Sequence, residues 1–120
     1  MSKLLFDEYP ILANKTLAKE IGLNESIVLQ QIHYWLELNK QTRKNYRDGR
    51  YWTYNSIRNW QEKDFDYLSI DTVRRAFIKL EKEGFLITGN YNKDLRDKTK
   101  WYSLNEEKLE ELYKKLKLES

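Results

Sequence analysis

The stretch from Ser69 to Phe85, SIDTVRRAFIKLEKEGF, constrains the fold more than any other part of the chain. Placed on a helix, Ile70, Val73, Phe77 and Leu80 share one stripe, with Ala76 at its edge. This is the spacing of a surface helix docked on a core. Ser69 suits an N-cap, Asp71 falls in the first turn, and Gly84 is placed to end the helix as a left-handed C′ residue. The opposite face carries Thr72, Arg74, Arg75, Lys79 and Lys82. Beyond Gly84 the chain reads as two strands, FLITGNY (85–91) and TKWYSL (99–104), around the polar turn NKDLRDK. Alternation in the return strand puts Trp101 and Tyr102 on opposite faces, while Lys93, Arg96, Lys98 and Lys100 project from the tip or its flank. A helix with a basic outer face leading at once into a hairpin is the outline of a winged helix-turn-helix, mainly α with a small β-hairpin.

The upstream sequence supplies the first helix of that motif. Asn55 is the expected cap of a helix through about Gln61, with Ile57 and Trp60 inward, and DFDYL (64–68) forms the turn, with Phe65 and Leu68 beneath it. The helix-turn-helix then covers 55–83 and the wing 85–104. Nearer the start, LLFDEYPIL is a short apolar approach, and Asn14 caps a helix over Lys15 to Ile21 closed by Gly22. Asn24 is the expected cap of a central helix over 25–38, apolar nearly all round and therefore a buried strut. Residues 39–50 read as a polar loop ending in the turn signal Asp48-Gly49, and YWTY (51–54) as one short β segment. Ser103-Leu104-Asn105-Glu106 fits a capping box that opens a last helix, 105–117. Its stripe of Leu109, Leu112, Tyr113 and Leu116 packs on its own domain or pairs with a second copy.

Charge and composition narrow the function. At 120 residues and 40% hydrophobic content the chain suits one domain, 1–120, with one core. It has no cysteine, hence neither a disulfide framework nor a thiolate metal site, and a cytoplasmic location fits. No apolar run reaches membrane-spanning length, so no membrane partner is expected. One histidine, four glycines and no GxxxxGK[ST] loop leave out the usual catalytic constellations, so neither an enzyme nor a cofactor is expected. The net charge of +3 is mild but unevenly spread. Residues 69–100 hold eight basic and five acidic side chains, and residues 1–39 are net acidic. Residues 40–50 hold Lys40, Arg43, Lys44, Arg47 and Arg50 against Asp48, a run that reads equally well as a solvated face. A rival helix-turn-helix, TLAKEIGLNESIVLQQI, would offer Glu25, Ser26, Gln30, Gln31 and His33 to the bases. No Arg or Lys lies between Glu20 and Lys40 to hold the phosphates there.

Four blocks together carry a family resemblance: LNESIVLQQIHYWL (23–36), DGRYWTYNSIRNWQEKDF (48–65), LSIDTVRRAFIKLEKEGFL (68–86) and TKWYSLN (99–105). In order and spacing they resemble the winged-helix N-terminal domains of replication initiation proteins, the DnaD-like replisome organisers of phages, plasmids and other mobile elements of low-GC Gram-positive bacteria. The resemblance implies binding of origin or operator DNA by a cytosolic protein, often dimeric, without enzymatic activity. Such initiators usually continue into a second domain that contacts replication proteins, whereas this sequence stops at Ser120. It is either a domain of a longer protein or a free-standing unit. A transcriptional regulator of the same fold and a protein-interaction module in a primosome-like assembly remain as alternatives.

The expected mechanism is physical. The apolar stripe of the 69–85 helix fixes its depth, so that its outer face enters the major groove of double-stranded DNA. Asp71, Thr72 and Arg75 are the candidates for base edges, with Arg75 able to grip guanine in a bidentate way. Arg74, Lys79, Lys82, Lys93, Arg96, Lys98 and Lys100 are the candidates for phosphates. A homodimer through the terminal helices and contacts to replication proteins are the further expected partners.

Overall fold

The computed structural model describes residues 9–119. Most of LLFDEYPIL therefore lies outside the described residues, and its last part, Tyr9–Leu12, is irregular and exposed. Asn14 caps as its position predicts: Oδ1 accepts the Leu17 N–H at 3.0 Å and starts α1, Lys15–Glu20. The second helix, α2 (Leu23–Thr42), is longer than expected at both ends. Its N-cap is Gly22 and not Asn24, which lies inside the helix. It outlasts Leu38 because Asn39 is buried and donates from Nδ2 to the Trp52 carbonyl at 2.8 Å, so the polar run stays helical. Arg43 then ends it in the left-handed conformation.

The expected 39–50 loop is thus partly helix and partly hairpin. β1 (Tyr46–Arg47) and β2 (Arg50–Tyr51) pair antiparallel around Asp48-Gly49, whose φ values of 50° and 80° are those of a type I′ turn. Nor is YWTY one strand. Trp52 is buried, its N–H returns to the Asn45 carbonyl at 3.0 Å, and the chain re-enters a different sheet as β3, Thr53–Tyr54.

Ser56, one residue later than expected, caps the next helix by accepting the Asn59 N–H at 3.1 Å. That helix, α3 (Ile57–Asn59), runs on as a π-helical turn over Trp60–Asp64. The wider turn has a visible consequence. It drops Phe65 fully into the core and aims the Asp64 carboxylate at α2, where it accepts from Trp35 Nε1 at 2.6 Å and Gln31 Nε2 at 2.9 Å. The π turn therefore stitches two helices together.

α4 (Ile70–Lys82) forms as its pattern dictates. Ser69 Oγ accepts the Thr72 N–H at 3.1 Å, and Gly84 takes φ 84°, a conformation that would strain any side-chain-bearing residue. Most of its apolar stripe is buried: Ile70 is half-buried, and Val73, Phe77 and Leu80 have no exposed surface. These last three pack with Trp60, Phe65, Val28, Ile32 and Tyr102 into one core. Phe77 lies 5.0 Å from the Tyr102 ring and 5.9 Å from Trp60. The Trp60 indole N–H has no acceptor, a cost of about 1–3 kcal/mol that this packing offsets.

β4 (Leu86–Gly89) and β5 (Trp101–Leu104) pair antiparallel, and β3 adds to the free edge of β5, giving the order β3-β5-β4. Trp101 and Tyr102 do take opposite faces, and both are buried. Tyr102 meets α4, while Trp101 stacks on Tyr54 at 4.5 Å and meets Tyr91 at 5.3 Å. Ser103 belongs to the strand, donating to the Tyr51 carbonyl, so the cap of α5 (Glu106–Glu119) is Asn105, which accepts the Lys108 N–H at 3.2 Å. Leu109 and Leu112 pack on the domain's own core. The chain is mainly helical with two small antiparallel sheets.

Candidate nucleic-acid interface

The outer face of α4 is set by its inner one. With Val73, Phe77 and Leu80 locked inward, the 3.6-residue turn places Asp71, Arg75, Ile78 and Lys82 on one outward stripe spanning about 60°. All four are exposed. Arg74 borders this stripe on one side, bridged to Asp71 at 2.6 Å. α5 does not roof the surface. Its first turns lie instead near Ile21, Glu83 and Phe85, with the Lys108 ammonium over the Phe85 ring.

The segment returning from the β4–β5 loop forms the other wall. A groove of about 540 Å³ runs between Ile57, Arg74, Ile78 and Glu81 on one side and Lys98 and Lys100 on the other. Lys100 Nζ reaches Glu81 at 2.8 Å, pinning this segment to α4. Within the loop, Asn92 is the brace. Its Nδ2 donates to the Asp97 and Thr99 carbonyls, and its Oδ1 accepts from Trp101 Nε1 at 2.9 Å. Asp97 accepts from the Thr99 N–H and hydroxyl, and Asp94 from Arg96, which holds both carboxyls below their ordinary range. Burial and the nearby Glu81 push the Tyr102 hydroxyl above its ordinary range, so it sits neutral at the groove floor.

The ten site residues expected from sequence therefore part company. Arg75, Lys82, Lys93 and Lys98 are exposed and make no ion pair among the described residues. Arg74 and Arg96 pair only with exposed neighbours, Asp71 and Asp94. Such pairs contribute little and exchange partners readily. Thr72 is half-buried, and its Oγ1 accepts from Ser69 Oγ at 2.9 Å. Lys79 is a correction. It turns away from the stripe, donating to the Ile21 carbonyl at the end of α1 and lying 3.4 Å from Glu25. Its ammonium satisfies a helix C-terminus and is drawn away from the outward stripe, although the side chain stays partly exposed. Lys93 and Arg96 stand exposed on the loop, with no contact that brings them to the groove.

The rival upstream reader fares worse. Ser26 is fully buried and donates to the Leu23 carbonyl, Gln31 is held by Asp64, and Glu25 faces Lys79. Ile78, by contrast, was missed by sequence reasoning. It is 54% exposed in the middle of the outward stripe. Its signal was an apolar residue falling outside the Ile70–Val73–Phe77–Leu80 register.

No metal-holding cluster of His, Asp and Glu occurs among the described residues, and none of their helices is long and apolar enough to cross a membrane. No protein-family model matches the chain, and neither a curated protein nor a solved structure matches it.

Proposed function

We propose that the chain is a winged helix-turn-helix that binds double-stranded DNA, with α3 and α4 as the motif and the β4–β5 hairpin as the wing. The observation that carries this reading is the unroofed stripe of α4, rigidly backed by core and walled by Lys98 and Lys100. In this reading Arg75 takes a guanine edge and Asp71 a cytosine amino group, while the exposed Ile78 meets thymine methyls. Arg74, Lys82, Lys93, Arg96 and Lys98 hold phosphates. Lys100 stays with Glu81 and positions the wing.

The biological role proposed is replication initiation in a phage, plasmid or other mobile element, supported by the resemblance of the four sequence blocks. Homodimer formation through α5 has less to recommend it, since Leu109 and Leu112 already serve the domain's own core. Duplex binding titrated against salt tests the reading. Four to six neutralised phosphates give a slope of log affinity on log salt of about −4 to −5. Absent or salt-independent binding refutes it.

A further inference from the structure

The β1–β2 hairpin carries charge that the proposed interface does not use. Arg47 and Arg50 are register partners, directly opposite across the two strands. Like charges so placed destabilise a hairpin. On the other face the Tyr46 and Tyr51 rings meet at 4.9 Å, so the two guanidinium groups share the face away from them. Lys40, Arg43 and Lys44 lie on the exposed approach, and none of the five cations makes an ion pair among the described residues. The acid in the turn, Asp48, accepts the Tyr91 hydroxyl. Glu37, Glu106 and Glu107 line a hollow that Lys40 and Arg50 also border, without an ion pair to either cation.

The hairpin is also held in place. Trp52 Nε1 donates to the Arg47 carbonyl at 2.9 Å, Asn39 to the Trp52 carbonyl, and Ser103 to the Tyr51 carbonyl at 2.8 Å. Its tip is tied to the root of the β4–β5 loop, because Tyr91, bonded to Asp48, also packs on Trp52 and Trp101. The hydrogen bond to Asp48 holds the Tyr91 hydroxyl above its ordinary range, and Arg50 and Arg47 lie near enough to oppose part of that shift. A rigid two-arginine tip beside the loop root is an anion-binding finger in search of its anion.

We propose that this hairpin is a second DNA contact, in which Arg47 and Arg50, backed by Arg43 and Lys44, hold phosphates of the duplex flanking the part read by α4. The inference rests on the DNA-binding reading above. A backbone strand that passes the β4–β5 loop continues onto the hairpin, since Tyr91 and Asp48 join the two.

The test uses the double variant Arg47→Gln, Arg50→Gln, on a duplex ending at the loop and on one longer by about ten base pairs, one helical turn. Both side chains are exposed and their facing like charges are removed, so the thermal midpoint stays in place or rises slightly. On the longer duplex, affinity falls about tenfold or more near 0.1 M salt, and the salt slope shrinks by about 2. On the shorter duplex nothing changes. Asp48→Asn, which tolerates the left-handed turn and can still accept from Tyr91, tightens binding to the longer duplex alone. If the wild type binds and the arginine variant matches it on both duplexes, the hairpin proposal is overturned while the α4 reading stands. Equal loss on both duplexes also overturns it, since the arginines then do not serve the flank. If the wild type binds neither duplex, both proposals fall.

Discussion

Arg75 and Lys79 are one turn apart on α4, both basic, and differ in what they touch. Arg75→Ala removes an exposed guanidinium with no ion-pair partner among the described residues, so folding stability changes by less than about 0.5 kcal/mol. Its cost appears on DNA: about 1–3 kcal/mol, or roughly 5- to 150-fold, with relaxed preference at one base pair. Lys79→Ala removes a donor from the Ile21 carbonyl and a partner from Glu25, whose side chain is only 13% exposed. A hydrogen bond from a charged group contributes about 1.5–3 kcal/mol, but the Lys79 side chain is 42% exposed. Solvent screening brings the expected loss down to about 1 kcal/mol. For a chain of this size that is a fall of about 3–6 °C in the thermal midpoint. Calorimetry on both variants, with binding measured on a panel of duplexes, separates the two. Equal affinity loss on every sequence for Arg75→Ala would reassign it to phosphate holding. Unchanged stability for Lys79→Ala, with a loss of DNA affinity, would refute the assignment of Lys79 to the α1–α2 corner.

Three further outcomes are expected. Ile78→Glu, on an exposed position, leaves the urea midpoint within about 0.5 kcal/mol of wild type but sets a carboxylate against the DNA, lowering affinity more than tenfold; unchanged affinity would remove α4 from the interface. Asp64→Ala strands the Trp35 and Gln31 donors and costs about 2–3 kcal/mol in chemical unfolding, whereas Asp64→Asn, which still accepts, costs less. In acid the β4–β5 loop loosens: the Asp97 carboxyl is held below its ordinary 3.8 by Thr99, so its contribution is complete above that value and lost as pH falls through the lower folded one. Amide exchange of Thr99, followed from about pH 5 down to about pH 2 after correction for intrinsic rates, reads this; protection unchanged across that whole range would refute it.

The elements legible in the sequence are those whose signals are local. Ser69, the apolar stripe and Gly84 specify α4 without reference to the rest of the chain, and Asn14 specifies the start of α1. What escaped depends on distant partners. Asn39 reads as loop until Trp52 supplies a buried acceptor for its amide, so the true end of α2 was hidden thirteen residues away. YWTY has the composition of a single strand, but Trp52 turns inward between two sheets, a decision made by Asn45 and Arg47 carbonyls that no periodicity encodes. The capping box at Ser103 was a sound local pattern that lost to β pairing, because Ser103 faces Ile87 across the ladder and Asn105 could cap instead. Lys79 was open for the same reason: one residue type serves a phosphate or a helix C-terminus equally well, and only the placement of the Ile21 carbonyl within its reach chooses.

That choice bears on how the site is held. The two lysines with half-buried partners tie α4 down on two sides, Lys79 from α4 itself toward α1 and Lys100 from the β4–β5 segment toward Glu81. Both are anchored within the fold, and both fix an angle: the first sets α4 against the α1–α2 corner, the second sets the β4–β5 loop against α4. Between them stand Arg75 and Lys82, cations with no ion pair among the described residues, on either side of an exposed isoleucine. Cations that are satisfied internally contribute geometry, and those left over contribute affinity. A ligand with a regular line of negative charge and a partly apolar floor fits that division; a partner recognised chiefly by buried aromatic anchors does not. Trp52, Trp60, Trp101 and Tyr102 are spent inside the fold, and the exposed tyrosines, among them Tyr34, Tyr54 and Tyr67, are not carried by α4.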